Sequence, residues 1–153
     1  MVHYVMGNLL DSNCDYICHQ VNCQGVMGSG IAKQIRERWP EVYEGYKEFV
    51  DNHNKSGRGL LGSILISATS EGKRVFNMFA QADYGYGGSR FTSYDAFAHC
   101  LREMKYYLHN RTVGFPKNIG CGLGGGNWKV ISALIEEILG EDCEVYIYEY
   151  YGE

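Results

Sequence analysis

Neither a long apolar run nor a concentration of basic residues is present in this chain of 153 residues. A membrane-spanning helix needs about 20 consecutive apolar residues. Proteins that grip nucleic acid by its phosphates carry Lys and Arg together on one surface. Here Lys and Arg are scattered and the net charge is −4. We therefore expect no membrane partner and no direct binding of nucleic acid, whereas a nucleotide-sized ligand stays open.

The chain also lacks a C-x-x-C pair, although it has six cysteines. A zinc site built from Cys14, Cys18, His19 and Cys23 is disfavoured, because the first two fall around a predicted strand. Residues 1–7 lack the basic and apolar regions of a signal peptide. The sequence thus predicts free thiols, a cytoplasmic location, and neither a metal nor a cofactor.

Internal repeats, linkers and low-complexity segments are missing as well. The hydrophobic content is 45% and the charged content 21%, values typical of a globular protein. A chain of this length can bury a core without disulfides. We expect one domain over residues 1–153.

Apolar periodicity predicts strands and helices that alternate along the chain. Helices are expected after residue 28, after Pro40, after Thr92 and from Trp128, and Thr92 with Asp95 resembles a capping box. Strands are expected at residues 4–6, 16–21, 60–66, 74–79, 113–116 and 145–150. This order predicts an α/β fold whose mixed sheet is covered by helices on both faces.

Two uncharged, glycine-rich loops follow predicted strands and precede predicted helices. Loop one comprises residues 22–31 and loop two residues 120–126. Residues 17–32 and 118–128 contain no Asp, Glu, Lys or Arg, and Lys33 and Lys117 border them. Exposed backbone N–H groups at a helix N-terminus favour phosphate, so two such loops at one sheet edge could hold a diphosphate. The alternative is that the glycines only permit tight turns.

Two common nucleotide-binding classes fit poorly. Gly120-x-Gly122-x-x-Gly125 matches the dinucleotide fingerprint, but a single predicted strand follows it, too little for that fold. Neither loop contains the Gly-Lys-Ser/Thr sequence of a P-loop. An NAD-dependent oxidoreductase and a P-loop enzyme are both disfavoured.

Three motifs stand out in and around the two loops: His19-x-x-Asn22-Cys23, residues 28–32 (Gly-Ser-Gly-Ile-Ala) and residues 118–123 (Asn-Ile-Gly-Cys-Gly-Leu). In these motifs the chain resembles the macrodomains, which bind ADP-ribose. The element order agrees from Tyr4 to Tyr150, and the likeness is greatest to ADP-ribose 1″-phosphate phosphatases and terminal ADP-ribose glycohydrolases. It implies a three-layer α/β/α fold with a mostly six-stranded sheet and the ligand at the C-terminal strand ends.

The resemblance also implies a set of ligand-binding residues. Loop one would wrap the distal ribose and one phosphate, and loop two would close over the diphosphate. Adenine would lie near Asn8, which stands where such domains often have Asp, and Tyr148 or Tyr150 would stack on it or fill the core. The implied site residues are Asn8, Leu9, Asn22, Cys23, Gly28, Ser29, Gly30, Ile31, Gly120, Cys121, Gly122, Leu123, Gly124, Gly125 and Tyr150.

The catalytic groups of the related glycohydrolases, a lysine after the fourth strand and an aspartate in loop two, have no counterpart here. Residues 75–82 contain no lysine, and Gly124 stands at the aspartate position. The sequence therefore favours a phosphatase acting on ADP-ribose 1″-phosphate, with a non-enzymatic reader of ADP-ribose or of an ADP-ribosylated macromolecule as the alternative. A glycohydrolase is the third choice.

His19 and Asp83 are the predicted catalytic residues. An imidazole can act as a general base near neutral pH, and His19 lies next to loop one. Its alternative role is that of a buried histidine that holds the second strand in place. Asp83 and Arg90 border a Gly/Tyr-rich loop, where they either face the substrate or are solvated.

Overall fold

The computed structural model describes residues 1–28, 30–54, 59–83 and 91–150. Within these ranges the chain forms six strands and four α-helices. They are β1 (Val2–Met6), β2 (Tyr16–Asn22), α1 (Gly30–Arg38), α2 (Pro40–Asn54), β3 (Ile64–Ala68), β4 (Arg74–Gln81), α3 (Tyr94–Met104), β5 (Thr112–Pro116), α4 (Trp128–Leu139) and β6 (Glu144–Glu149). None of the described helices combines the length and apolar character needed to cross a bilayer.

The six strands form one mixed sheet in the order β1-β6-β5-β2-β4-β3. Every neighbouring pair is parallel except β3 with β4, which is antiparallel. The carboxyl ends of β1, β2, β4, β5 and β6 therefore meet at one edge. Both glycine-rich loops leave the sheet at that edge, because loop one follows β2 and loop two follows β5.

Two apolar cores lie on opposite faces of the sheet, as the alternation of β2 shows. Tyr16 and Cys18 belong to the core that includes residues of α3 and α4. Ile17 and Val21 belong to the core that includes residues of α1 and α2. Side chains of successive strand residues point to opposite faces, so one strand serves both cores. The predicted three-layer α/β/α fold is confirmed.

Two local predictions were wrong in detail. The third strand begins at Ile64 rather than residue 60, because the chain still turns at Gly62, whose φ is +93°. The N-cap of α3 is Ser93, whose hydroxyl accepts from the N–H of Ala96, and not Thr92. Thr92 instead forms an isolated bridge with Gln81, which joins this segment to the end of β4.

Candidate functional site

A cavity of about 610 Å³ opens at the carboxyl edge of the sheet. Loop one and loop two both border it, together with the segments that follow β1 and β6. Eleven of the predicted site residues line this cavity. They are Asn8, Leu9, Asn22, Gly28, Gly30, Ile31, Gly120, Gly122, Leu123, Gly124 and Tyr150.

Three other predicted ligand-binding residues do not line the cavity. The backbone N–H of Cys23 donates to the carbonyl of Ala82, which ties loop one to the end of β4. Burial raises the pKa of the Cys23 thiol to about 11. Cys121 packs against the core beneath α3 and α4, and Gly125 closes a turn by donating to the carbonyl of Gly122. Ser29 lies outside the described residues.

His19 is fully buried on β2 and does not line the cavity. Its Nε2 lies 2.6 Å from Oδ1 of Asn77 on β4, and its Nδ1 has no hydrogen-bond partner among the described residues. Burial lowers the pKa of the imidazole to about 4, and the bond to Asn77 only partly offsets this effect. A general base must reach its proton, and this position matches the structural alternative; the catalytic role of His19 stays a prediction.

Asp83 does not line the cavity either. Its side chain is exposed just beyond β4, and its carbonyl accepts a hydrogen bond from Nε2 of Gln81. The contact between this carboxylate and a substrate therefore stays a prediction. Arg90, the predicted partner of a terminal phosphate, lies outside the described residues.

Loop one is shaped by the side chain of Asn22. Its Oδ1 accepts from the N–H groups of Gln24 and Val26, at 2.9 and 3.3 Å, and Nδ2 donates to the carbonyl of Val26. The hydroxyl of Tyr46, fully buried on α2, lies 2.7 Å from the Asn22 carbonyl oxygen and 2.9 Å from Oδ1. Asn22 thus fixes the turn, and Gly28 and Gly30 of the loop line the cavity.

Loop two is closed by hydrogen bonds to its own backbone and to the segment before α3. The carbonyl of Gly120 accepts from the N–H of Gly126 and from the hydroxyl of Thr92. The carbonyl of Gly124 accepts from the N–H groups of Phe91 and Thr92. A Cβ built at Gly124 would lie 2.6 Å from the Thr92 hydroxyl oxygen, whereas one at Gly122 would meet nothing within 4 Å.

Three glutamines that the sequence analysis missed, Gln20, Gln34 and Gln81, also line the cavity. Gln20 of β2 donates from Nε2 to Oε1 of Gln81 at 2.7 Å and to the Thr92 hydroxyl at 2.8 Å. Gln81 is the last residue of β4. The signal that could have revealed Gln20 and Gln81 is a polar side chain near the carboxyl end of an otherwise apolar strand, since those ends meet at one edge in parallel sheets.

The cavity carries little net charge. Lys117 and Glu149 are the formally charged side chains among the described lining residues, and they form an ion pair of 3.2 Å between Nζ and Oε2. Both are partly exposed, so solvent screens this pair. Phosphate held in this cavity would be met mainly by backbone N–H groups, with Lys117 at one end.

The segment after β1 forms the far wall of the cavity. Asn8 caps a short 3-10 helix, Leu9–Asp11, because its Oδ1 accepts from the N–H of Leu10 at 3.0 Å. The ring of Tyr148 lies against Gly7, 3.8 Å from the position of a built Cβ. Tyr148 and the half-exposed Tyr150 both line the cavity, so this part of its wall combines an amide side chain with two aromatic rings.

Known proteins resemble this chain in sequence and structure, although no family model matches it. A DNA ADP-ribosyl glycohydrolase of Mycobacterium tuberculosis is 30% identical over 84% of this chain and 36% of the relative. An ADP-ribose 1″-phosphate phosphatase of Saccharomyces cerevisiae is 25% identical over 92% of this chain and 94% of the relative. The chain spans about two fifths of the length of the first glycohydrolase relatives.

The macrodomain of Mycobacterium tuberculosis DarG superposes with a TM-score of 0.79 at 25% identity, covering 97% of each chain. This structure is named as a macrodomain, the family that the two loops of this chain resemble in sequence. The chain therefore has the macrodomain fold, and its predicted resemblance to macrodomains is confirmed in both sequence and structure.

Proposed function

We propose that this chain binds ADP-ribose in the cavity between loop one and loop two. The observation that carries the proposal is that both glycine-rich loops border one cavity of about 610 Å³. Small-ligand sites are typically about 300–1,000 Å³. The phosphatase and glycohydrolase relatives are named for ADP-ribose derivatives, which supports the same ligand class.

The resemblance assigns each part of the ligand to a wall of the cavity. Loop one would wrap the distal ribose and one phosphate, and the N-terminus of α1 at Gly30 would favour that phosphate. Loop two would cover the diphosphate, where Gly122 leaves open space above its backbone. Adenine would lie between Asn8 and the tyrosines Tyr148 and Tyr150.

We further propose that the chain hydrolyses ADP-ribose 1″-phosphate to ADP-ribose and phosphate. The yeast relative named for this activity is matched over nearly its whole length. Phosphoryl transfer depends mainly on positioning and on stabilising charge, which backbone N–H groups can supply. Because His19 does not line the cavity, the proposal assigns it no role in activating water.

A second candidate is removal of ADP-ribose from DNA, because several curated relatives are named DNA ADP-ribosyl glycohydrolases. The family's lysine route does not fit, since Gln81 ends β4 and Gly124 stands in loop two where the resemblance places the catalytic lysine and aspartate. A glycohydrolase activity would therefore need water activated by other groups. If the chain hydrolyses neither substrate, it would be a reader, a domain that binds ADP-ribose without catalysis.

Calorimetry with ADP-ribose, and with AMP and ribose 5-phosphate as part-ligands, tests binding. We expect ADP-ribose to bind more tightly than either part, because both loops then contribute. Absence of binding at millimolar ADP-ribose would contradict the proposal.

One substrate panel separates the three activities. Phosphate released from ADP-ribose 1″-phosphate indicates the phosphatase. ADP-ribose released from modified DNA or protein indicates the glycohydrolase. ADP-ribose binding without either product indicates a reader.

A further inference from the structure

A chain of side-chain hydrogen bonds runs beneath loop two, and we name it the glutamine–threonine chain. Gln81 Nε2 donates to the carbonyl of Asp83 at 2.7 Å, and Gln20 Nε2 donates to Oε1 of Gln81 at 2.7 Å. Gln20 Nε2 also donates to the hydroxyl of Thr92 at 2.8 Å, and that hydroxyl donates to the carbonyl of Gly120 at 2.7 Å. The glutamine–threonine chain thus joins β2, β4 and the segment before α3 to loop two.

The direction of these bonds is set by their two ends. A hydroxyl has one hydrogen, and that of Thr92 is given to Gly120, so Thr92 must accept from the amide of Gln20. The second N–H of that amide is given to Gln81, whose own amide donates onward to Asp83. Both ends are backbone carbonyls, which can only accept. The order of donors therefore has a single solution.

The backbone of loop two lies directly against the glutamine–threonine chain. A Cβ built at Gly120 would be 2.7 Å from Oε1 of Gln20, and one at Gly124 would be 2.6 Å from the hydroxyl oxygen of Thr92. Thr92 is 2% exposed, and Gln20 Oε1 is buried without a hydrogen-bond partner among the described residues. Loop two therefore lies so close to these side chains that no Cβ fits between them at Gly120 or Gly124.

We propose that Gln20 and Thr92 are positioning residues that set the backbone of loop two for the ligand's diphosphate. This inference rests on the proposed binding of ADP-ribose. Neither residue needs to act on the phosphates itself: Thr92 fixes the Gly120 carbonyl, and Gln20 fixes the orientation of the Thr92 hydroxyl. The N–H groups of residues 120–126 are thereby held in one arrangement before the ligand arrives.

The test compares Thr92→Val with Thr112→Val, which is a matched control. The hydroxyl of Thr112 accepts from the N–H of Asp15 at 2.8 Å and donates to its carboxylate at 3.2 Å, at the opposite end of β5. Each variant thus loses one accepted and one donated hydrogen bond. We expect Thr92→Val to weaken ADP-ribose binding about tenfold, equivalent to about 1.4 kcal/mol. Thr112→Val should bind like the unmodified chain, and Thr92→Ser should restore most of the affinity.

A ligand-free measurement separates failure of this inference from failure of the proposed function. Amide hydrogen exchange of residues 120–126 should be faster in Thr92→Val than in Thr112→Val, at matched distance from each variant's melting temperature. Equal exchange in the two variants overturns the inference even if the unmodified chain binds ADP-ribose. Faster exchange together with no ADP-ribose binding by the unmodified chain supports positioning of the loop and overturns only the proposed ligand. Equal affinity of the two variants also overturns the inference.

Discussion

At the scale of single residues, His19 and Asn77 form a buried hydrogen-bonded pair within the sheet. Asn77 Oδ1 faces the imidazole, and its Nδ2 donates to the Leu65 carbonyl and the Ser67 hydroxyl of β3. The pair therefore links β2, β4 and β3. The imidazole is neutral at pH 7, because protonation of the buried Nδ1 would create a donor for which the described residues offer no acceptor.

This pair predicts a specific dependence of stability on pH. Burial holds the folded-state pKa of His19 at about 4, below the ordinary value of 6.5, so between these values the unfolded chain binds a proton that the folded chain does not. The free energy of unfolding should fall as pH drops from 6.5 towards 4, by about 3 kcal/mol from this group. Urea titrations of the unmodified chain and of His19→Gln, carried out between pH 4 and pH 6.5, measure this change in the free energy of unfolding. Equal pH slopes for the two proteins would contradict the prediction.

The hydroxyl of Tyr46 supports loop one from below, which makes Tyr46→Phe informative. The substitution removes the donor that reaches Asn22 and should lower the free energy of unfolding by about 1 kcal/mol. ADP-ribose binding should weaken as well, since loop one loses a fixed point. Tyr43→Phe in the same helix is the control, because the Tyr43 hydroxyl makes no hydrogen bond recorded among the described residues. Similar affinities for the two variants would mean that loop one holds its shape without Tyr46.

At the scale of the structural element, the glycines of loop two have different roles. Gly120 has a φ of +73°, a conformation that favours glycine. At Gly124 a built Cβ meets Thr92 and the carbonyl of Gly120. Gly122 has open space where its side chain would be and lines the cavity. A side chain introduced at position 122 would therefore extend into the cavity while loop two keeps its hydrogen bonds.

Gly122→Glu should abolish ADP-ribose binding and leave the fold intact. The carboxylate would stand in the space proposed for the diphosphate, so bulk and like charge both oppose the ligand. Calorimetry measures the affinity, and the melting temperature reports the fold. Gly122→Ala is the control and should retain most of the affinity. Binding retained by Gly122→Glu would place the diphosphate away from loop two.

At the scale of the whole molecule, we propose that residues 1–153 form a single domain. Both apolar cores pack on the same six-stranded sheet, so loss of the sheet should expose both. Thermal unfolding should then show one transition, with coincident changes in far-UV circular dichroism and in tryptophan fluorescence. Two separated transitions would contradict a single domain.

Ligand binding should raise the melting temperature of the whole domain. A ligand at 100 times its Kd stabilises the folded state by about 2.7 kcal/mol. For a domain of this size that corresponds to a rise of about 5–10 °C. Differential scanning fluorimetry with ADP-ribose measures the shift, and Gly122→Glu should show none. An equal shift in that variant would place the stabilising ligand outside the cavity.

Local sequence patterns determined the elements and the two loops. Periodicity placed six strands and four helices with errors of a few residues, because an apolar stripe must face a core whatever its partner is. Parallel strands bring their carboxyl ends together, so loops after β2 and β5 were expected to meet, and they border one cavity. The fold and the two loops that border the cavity were therefore accessible from the sequence.

The tertiary structure decided which side chains face the cavity. His19 and Gln20 are neighbours on β2, yet His19 is buried against Asn77 whereas Gln20 reaches the cavity and Thr92. Side chains of neighbouring strand residues point to opposite faces of the sheet. Whether a side chain is then buried or reaches the cavity depends on which distant segments pack over it. The sequence determined that a backbone-lined cavity would form. Contacts between residues far apart in the chain determined which of its polar side chains can meet a ligand.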